Sequence, residues 1–172
     1  PWLLVGIGSD LRGDDAFGPL LARRLAADGL PALDAGTSPE SLTGPIVRSG
    51  AEVLILADVG HLDAPAGTLR LLAPETVAPG GTSTHDPSLS LLIAYLQAER
   101  PLTVRILAAQ PARKGLGNPV SPEVLAAVDL DDGVTAVARE QRADPFQLPA
   151  RRREVTLATE SGIHRHQQHQ VQ

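Results

Sequence analysis

The chain has 172 residues, a formal net charge of −5 and no cysteine. That length suits one domain with a core of its own. The acidic balance argues against a general nucleic-acid binder; the missing thiols exclude disulfides and thiolate metal sites and fit an intracellular, cytoplasmic protein.

In chain order, Leu3 to Ile7 is a short apolar run that reads as a buried parallel strand. A glycine turn follows, Gly8 to Gly13, and then a helix over about Asp14 to Ala27. Its Phe17, Leu20, Leu21 and Leu25 fall on one face at helical spacing. Pro31 to Asp34 is a second short strand, ending in Asp34-Ala35-Gly36-Thr37. Pro39-Glu40-Ser41-Leu42 opens a second helix with Ser38 as its N-cap. Glu52 to Ala57 is a strongly apolar third strand with Asp58 at its end. Gly67 to Leu72 is a further strand. Ala73 to Pro87 is a loop rich in Pro, Gly, Ser and Thr that contains His85. Pro87 to Gln97 is a helix and Leu102 to Ala108 another strand. After a loop over Gln110 to Val120, Ser121-Pro122-Glu123 starts a last helix reaching about Gln141.

Strands alternating with helices predict an α/β fold: a three-layer single domain with a mostly parallel central sheet covered by helices on both faces. The domain is expected over residues 1–141. From Arg142 to Gln172 the apolar periodicity stops, and Arg151-Arg152-Arg153 and a His/Gln-rich end replace it, so 142–172 reads as a flexible tail. No apolar run approaches the roughly 20 residues of a membrane-spanning helix, and no signal-peptide pattern is visible, so no membrane partner is expected.

The turn after the first strand carries the chemistry. Glycine turns between strand and helix commonly hold phosphate on backbone N–H groups and the helix dipole. Here the dinucleotide spacing fails at Leu11, and Asp14 and Asp15 stand where a P-loop has Lys and Ser or Thr. Phosphate would be repelled and a cation attracted. Asp14 and Asp15 lie about 100° apart around a helix, so they do not share one role. Asp14 reads as a cap or dipole partner, which Arg12 is placed to hold. Asp15 reads equally as cap or as ligand. Asp58 follows the run Val53-Leu54-Ile55-Leu56-Ala57 and so stands at the carboxyl edge of the sheet, where open α/β sheets bind ligands; the other reading is a turn cap. His85, in Ser83-Thr84-His85, enters from a loop that crosses the same edge, although a lone loop histidine is more often idle. Two carboxylates and an imidazole form an open donor set for a divalent ion such as zinc or nickel. His61 is the competing histidine, and His164, His166 and His169 form a loose terminal cluster. There is no Gly-x-Ser-x-Gly elbow and no His-Glu-x-x-His motif.

These blocks together resemble the hydrogenase maturation proteases, endopeptidases that trim the C-terminus of the large subunit of nickel–iron hydrogenases. Val5-Gly6-Ile7-Gly8-Ser9 through Arg12-Gly13-Asp14-Asp15-Ala16-Phe17-Gly18 is similar to the family's N-terminal signature, and Asp34-Ala35-Gly36-Thr37 to its Asp-Gly-Gly-Thr segment. Leu56-Ala57-Asp58-Val59 with Ala66-Gly67-Thr68 resembles its central strand and turn, and Ser83-Thr84-His85 its Ser-x-His loop. Gln110-Pro111, Gly115-Leu116-Gly117 and Ser121-Pro122-Glu123-Val124 resemble its C-terminal block. The departures are Ser9 for Asn, Ala16 for Gly and Ala35 for Gly. Of these Ala35 matters most, because a positive φ there would strain an alanine.

The resemblance implies that Asp15, Asp58 and His85 are the catalytic and metal-contacting residues of an aspartyl-type, metal-dependent peptidase. The metal is nickel, carried in by the hydrogenase large-subunit precursor; zinc or cadmium would also suit the site. The nickel would then act as a recognition element, as a Lewis acid, or as both, and Asp15 or its neighbour Asp14 would be the base for an attacking water. Two other readings stay open: a non-catalytic nickel-binding maturation checkpoint or chaperone on the same fold, and a nucleotide-binding α/β protein.

Overall fold

A computed structural model describes residues 1–74, 87–129 and 154–157. Among them six strands form one sheet: β1 (Trp2–Ile7), β2 (Ala32–Gly36), β3 (Val53–Val59), β4 (Leu69–Leu72), β5 (Thr103–Ala109) and β6 (Glu154–Leu157), in the order β2-β1-β3-β5-β4-β6. The four strands β2, β1, β3 and β5 are parallel; β4 is antiparallel to both β5 and β6. This is the mostly parallel α/β sheet that the alternation predicts.

The strands are apolar on both sides because helices cover both sides. Leu4, Ile55, Ala57, Val59, Leu107 and Ala109 pack under α1 (Phe17–Ala27) and α4 (Pro122–Val128). Leu3, Val5, Leu54, Leu56, Ile106 and Ala108 pack under α2 (Thr43–Arg48) and α3 (Pro87–Glu99). Each fully buried aliphatic side chain contributes about 1.5–3 kcal/mol relative to exposure, and among the described residues Phe17 is the largest wholly buried side chain.

The helix starts differ from the prediction in instructive ways. The first turn after β1 is a 3-10 turn over Gly13–Ala16, and the α-helix begins only at Phe17. It closes on a Schellman motif: Leu30 N–H donates to Leu25 O (2.9 Å) and Gly29 N–H to Ala26 O (3.0 Å), with Gly29 at φ 74°. The segment after Ser38 likewise opens as a 3-10 turn, Pro39–Leu42, and the Ser38 side chain makes no capping bond; its carbonyl takes the Ser41 hydroxyl instead, at 2.7 Å. Ser121 does cap α4, accepting Val124 N–H at 3.4 Å. Within the segment read as a tail, Glu154–Leu157 pairs with β4, from Leu69↔Leu157 to Leu72↔Glu154. The continuation of α4 to Gln141, the rest of the tail and its three histidines lie outside the described residues.

Candidate active site at the carboxyl edge of the sheet

Parallel strands bring their carboxyl ends to one edge. The turn after β1, Gly36 at the end of β2, Asp58 near the end of β3 and the loop after β5 therefore meet there. The approach of α1 makes that edge compact. A Cβ on Gly18 would lie 2.3 Å from Ala57 O and 2.4 Å from Ile7 O, and one on Gly6 would lie 2.0 Å from Gly18 O. Helix and strands thus touch backbone to backbone, which only glycine permits. The contact with Ala57 sets the start of α1 one residue from Asp58, and Asp15 is three residues before Gly18.

The two neighbouring aspartates of the turn have separate roles. Asp14 is wholly buried. Its Oδ2 accepts the N–H groups of Ala112 (2.7 Å) and Arg113 (2.9 Å), and its Oδ1 that of Ser121 (2.6 Å). Burial alone would raise its pKa; the hydrogen bonds from Ser121, Arg113 and Ala112 outweigh burial and hold it below the ordinary 3.8. Asp14 is therefore a clamp for the loop after β5. The expected hold by Arg12 gives way to backbone N–H groups, and the role of general base is removed, since both oxygens are occupied and the proton affinity is low.

Asp15 is partly exposed. Its Oδ2 accepts Ser9 N–H at 3.0 Å, while Lys114 Nζ stands 4.0 Å from Oδ1. One oxygen is anchored to the backbone and the other faces a cation across a loose, exposed ion pair. Asp58 is half-buried, and its Oδ1 accepts the N–H of Val59 at 2.7 Å. Its place in β3 puts it in step with Leu54 and Leu56, on the α3 side of the sheet. His85 lies outside the described residues, two positions before α3 begins. Leu91 and Leu92 of α3 line one groove with Glu40 and Thr43, so the early turns of that helix stand close to the segment that follows β2. Among the described residues no three His, Asp or Glu side chains gather closely enough to hold a metal ion.

The backbone of the turn is not a phosphate cradle. Gly8 N–H donates to Gly36 O (2.8 Å), Arg12 N–H to Ser9 O (3.2 Å), Asp14 N–H to Arg113 O (3.0 Å) and Asp15 N–H to Arg12 O (3.3 Å). With Ser9 N–H on Asp15, these donors are committed internally. The Asp34 segment has a structural part in this. Arg23 of α1 donates to both oxygens of Asp10 (2.7 and 3.0 Å) and to Asp34 Oδ2 (2.6 Å), and Asp34 Oδ1 accepts Gly36 N–H at 2.9 Å. Hydrogen bonds to both aspartates raise the pKa of the Arg23 guanidinium further. The left-handed residue is Gly36, at φ 53°; Ala35 carries no positive φ, so that substitution is unstrained. His61 pairs on the surface with Asp63, 2.7 Å away.

The family model for hydrogenase maturation protease, HycI, matches residues 19–135, more than half of the chain. The chain belongs to the hydrogenase maturation protease family. The matched stretch contains Asp58 and begins four residues after Asp15. The chain is 28% identical to the hydrogenase 3 maturation protease of Escherichia coli over 131 residues, 74% of this chain and 83% of that one. A crystal structure of a [NiFe] hydrogenase maturation protease HycI from Thermococcus kodakarensis superposes with a TM-score of 0.71 at 26% identity, covering 81% of this chain and 92% of the other. The solution structure of the endopeptidase HycI from Escherichia coli gives 0.66 at 28% identity, covering 74% and 84%. Peptidase activity follows from this membership.

Three features of this maturation-protease edge escape sequence reading. Nothing local marks Asp14 as the clamp of a loop about a hundred positions away, or Lys114 as the neighbour of Asp15. Nor does Gln110-Pro111 announce what Gln110 does: its Oε1 accepts Leu62 N–H at 2.6 Å and its Nε2 donates to Pro111 O at 3.1 Å. Its backbone joins the Gly67 turn, with Gly67 N–H donating to Gln110 O at 2.9 Å.

Proposed function

We propose that this chain removes the C-terminal extension of a nickel-loaded [NiFe]-hydrogenase large-subunit precursor, and that Asp15, Asp58 and His85 meet the nickel the precursor carries. The observation that supports this most directly is the backbone contact of Gly18 with Ala57, which draws Asp15 and Asp58 to one edge in a chain of this family. Hard carboxylate oxygens and an imidazole nitrogen suit a borderline divalent ion. Asp15 is anchored through one oxygen and so presents the other at low entropic cost. His85 enters the reading by its position before α3.

The nickel belongs to the substrate. A precursor lacking it forfeits three contacts, so processing follows metal insertion. Water is the nucleophile that the residue set favours, since there is no cysteine. Its hydroxyl adds to the scissile carbonyl, the C–N bond breaks, and the proton leaves on the new amine. Asp15 is the carboxylate of the turn able to take part, because Asp14 is committed to the loop.

The test is incubation with purified nickel-loaded precursor and mass spectrometry of the products. Wild type releases a C-terminal peptide, and a nickel-free precursor stays intact. Asp58→Asn and His85→Ala abolish release while thermal stability changes by no more than about 1 kcal/mol, as for most substitutions away from a core. Binding of the precursor without any released peptide would sink the protease reading in favour of a nickel-sensing checkpoint.

A further inference from the structure

Beside Asp15 the edge carries an unusual surface. Leu11 is 69% exposed and Leu116 is 76% exposed, on two loops joined by the hydrogen bond from Gly117 N–H to Leu11 O at 2.8 Å. These loops are not slack. Asp14 ties the second one down at Ala112, Arg113 and Ser121. A Cβ on Gly13 would lie 2.9 Å from Arg113 O, so the two backbones are in contact. The leucines are held out in water by a braced scaffold and cannot fold inward without breaking it.

The charge around them is also out of character. The chain carries five more anions than cations, yet residues 111–121 contain Arg113 and Lys114 and no acid. Arg12 is exposed next to Leu11. The acids of the first loop are engaged elsewhere, Asp10 on Arg23 and Asp14 inside the clamp. Lys114, 4.0 Å from Asp15, connects this basic rim to the site itself.

We infer that Leu11 and Leu116, ringed by Arg12, Arg113 and Lys114, dock the folded body of the precursor through an apolar depression edged by carboxylates. The inference rests on the function proposed above and adds the chemistry of the partner surface. Apolar centres within a polar rim are the usual anatomy of such contacts. A rigid presentation spares the entropy of ordering loops on binding. The opposite charge speeds encounter and makes it sensitive to salt. A second copy of this chain is a poorer occupant, because pairing the patch with itself sets the same three cations against one another.

The experiment measures binding of nickel-loaded precursor by biolayer interferometry, alongside peptide release. Leu116→Asp and Arg12→Glu each weaken binding about tenfold or more, as the loss of an apolar centre or a rim charge does. Raising precursor concentration recovers their cleavage. Arg24→Glu, a charge reversal at the far end of α1, leaves binding unchanged, and Leu116→Asp and Arg12→Glu keep the wild-type melting temperature. If Leu116→Asp and Arg12→Glu bind as tightly as wild type while wild type cleaves, the docking surface is wrong and the protease reading stands. If both weaken binding but wild type releases no peptide, docking stands and the protease reading falls. If wild type neither binds nor cleaves, both fall. A change of oligomeric state in Leu116→Asp would reassign the patch to self-association.

Discussion

The turn after β1 and the end of β3 each bring an aspartate to the same edge, by opposite means. Asp58 is set by strand register: β3 pairs with β5 from Val53↔Thr103 to Val59↔Ala109, and Asp58 lies opposite Ala108. Asp15 sits in a 3-10 turn whose geometry comes from remote ties: Gly8 N–H on Gly36 O, Asp14 on the loop after β5, and Gly18 pressed on Ala57. A strand-borne residue inherits its position from the sheet. A turn-borne residue has to be held by contacts that the neighbouring sequence does not announce.

That difference can be broken at the turn without touching either candidate ligand. The largest effect is expected from Gly18→Ala. The added methyl would lie 2.3–2.5 Å from Ala57 O, Ile7 O and Ile7 N, all of them backbone. Nothing there can rotate away, so α1 must lift off the sheet. A loss of about 3 kcal/mol or more is expected in urea denaturation, at the upper end of overpacking costs, and the Asp15 side of the edge shifts with the helix.

Asp14→Asn comes next, at about 2 kcal/mol. The amide keeps one acceptor but turns an NH₂ toward backbone N–H donors. The pH dependence has a definite sign. The folded pKa of Asp14 lies below 3.8, so its contribution is complete above the ordinary carboxylate range and is lost as pH falls through it toward the folded value. The stability gap between wild type and Asp14→Asn therefore narrows below about pH 4. A gap constant between neutral and strongly acid pH would show that the carboxylate charge is not what holds the loop.

The α/β sheet, its first five strands and the position of Asp58 were legible because they depend on local pattern: apolar runs of strand length, helical spacing from Phe17 to Leu25, and a polar residue at a strand end; β6 (Glu154–Leu157), four residues inside a segment without apolar periodicity, was not. The motif blocks were legible as blocks, and the structure supplies the physical reason they occur together. Gly13 touches Arg113, Gly67 touches Glu123, and Gln110 reaches both Leu62 and the Gly67 turn, so several of them interlock at one edge. The division of labour between Asp14 and Asp15 was only half legible. A helix-start acid is ordinary by local rules, and the burial that separates the two comes from residues 112–121. Lys114 was not legible at all, since a lone surface lysine in a glycine-rich loop carries no signal until the loop is folded.

Arg23→Ala loosens the turn more gently. Its contacts to Asp10 and Asp34 are short but largely exposed, and such pairs are worth about 0–1 kcal/mol each. Stability should fall by about 1 kcal/mol. The effect on cleavage should exceed that, because Asp34 orients Gly36, whose carbonyl holds Gly8 beside Ser9 and Asp15. Recovery of cleavage in Arg23→Lys to the same degree as stability would reduce Arg23 to a surface ion pair.

The smallest effect on stability should belong to Asp15→Asn. The asparagine Oδ1 still accepts Ser9 N–H, the contact now made at 3.0 Å. What is lost is a 4.0 Å pairing with an exposed lysine, worth well under 1 kcal/mol. The fold should therefore be indifferent, within about 0.5 kcal/mol, while peptide release from the nickel-loaded precursor disappears, because a neutral amide is a far weaker ligand and cannot take a proton from water. Set against Asp14→Asn, this inverts the two neighbours: one isosteric change weakens the fold, and the other leaves it intact while silencing the edge it presents. If Asp15→Asn instead destabilises the protein as much as Asp14→Asn, both acids belong to the scaffold and the site must be sought from Asp58 outward.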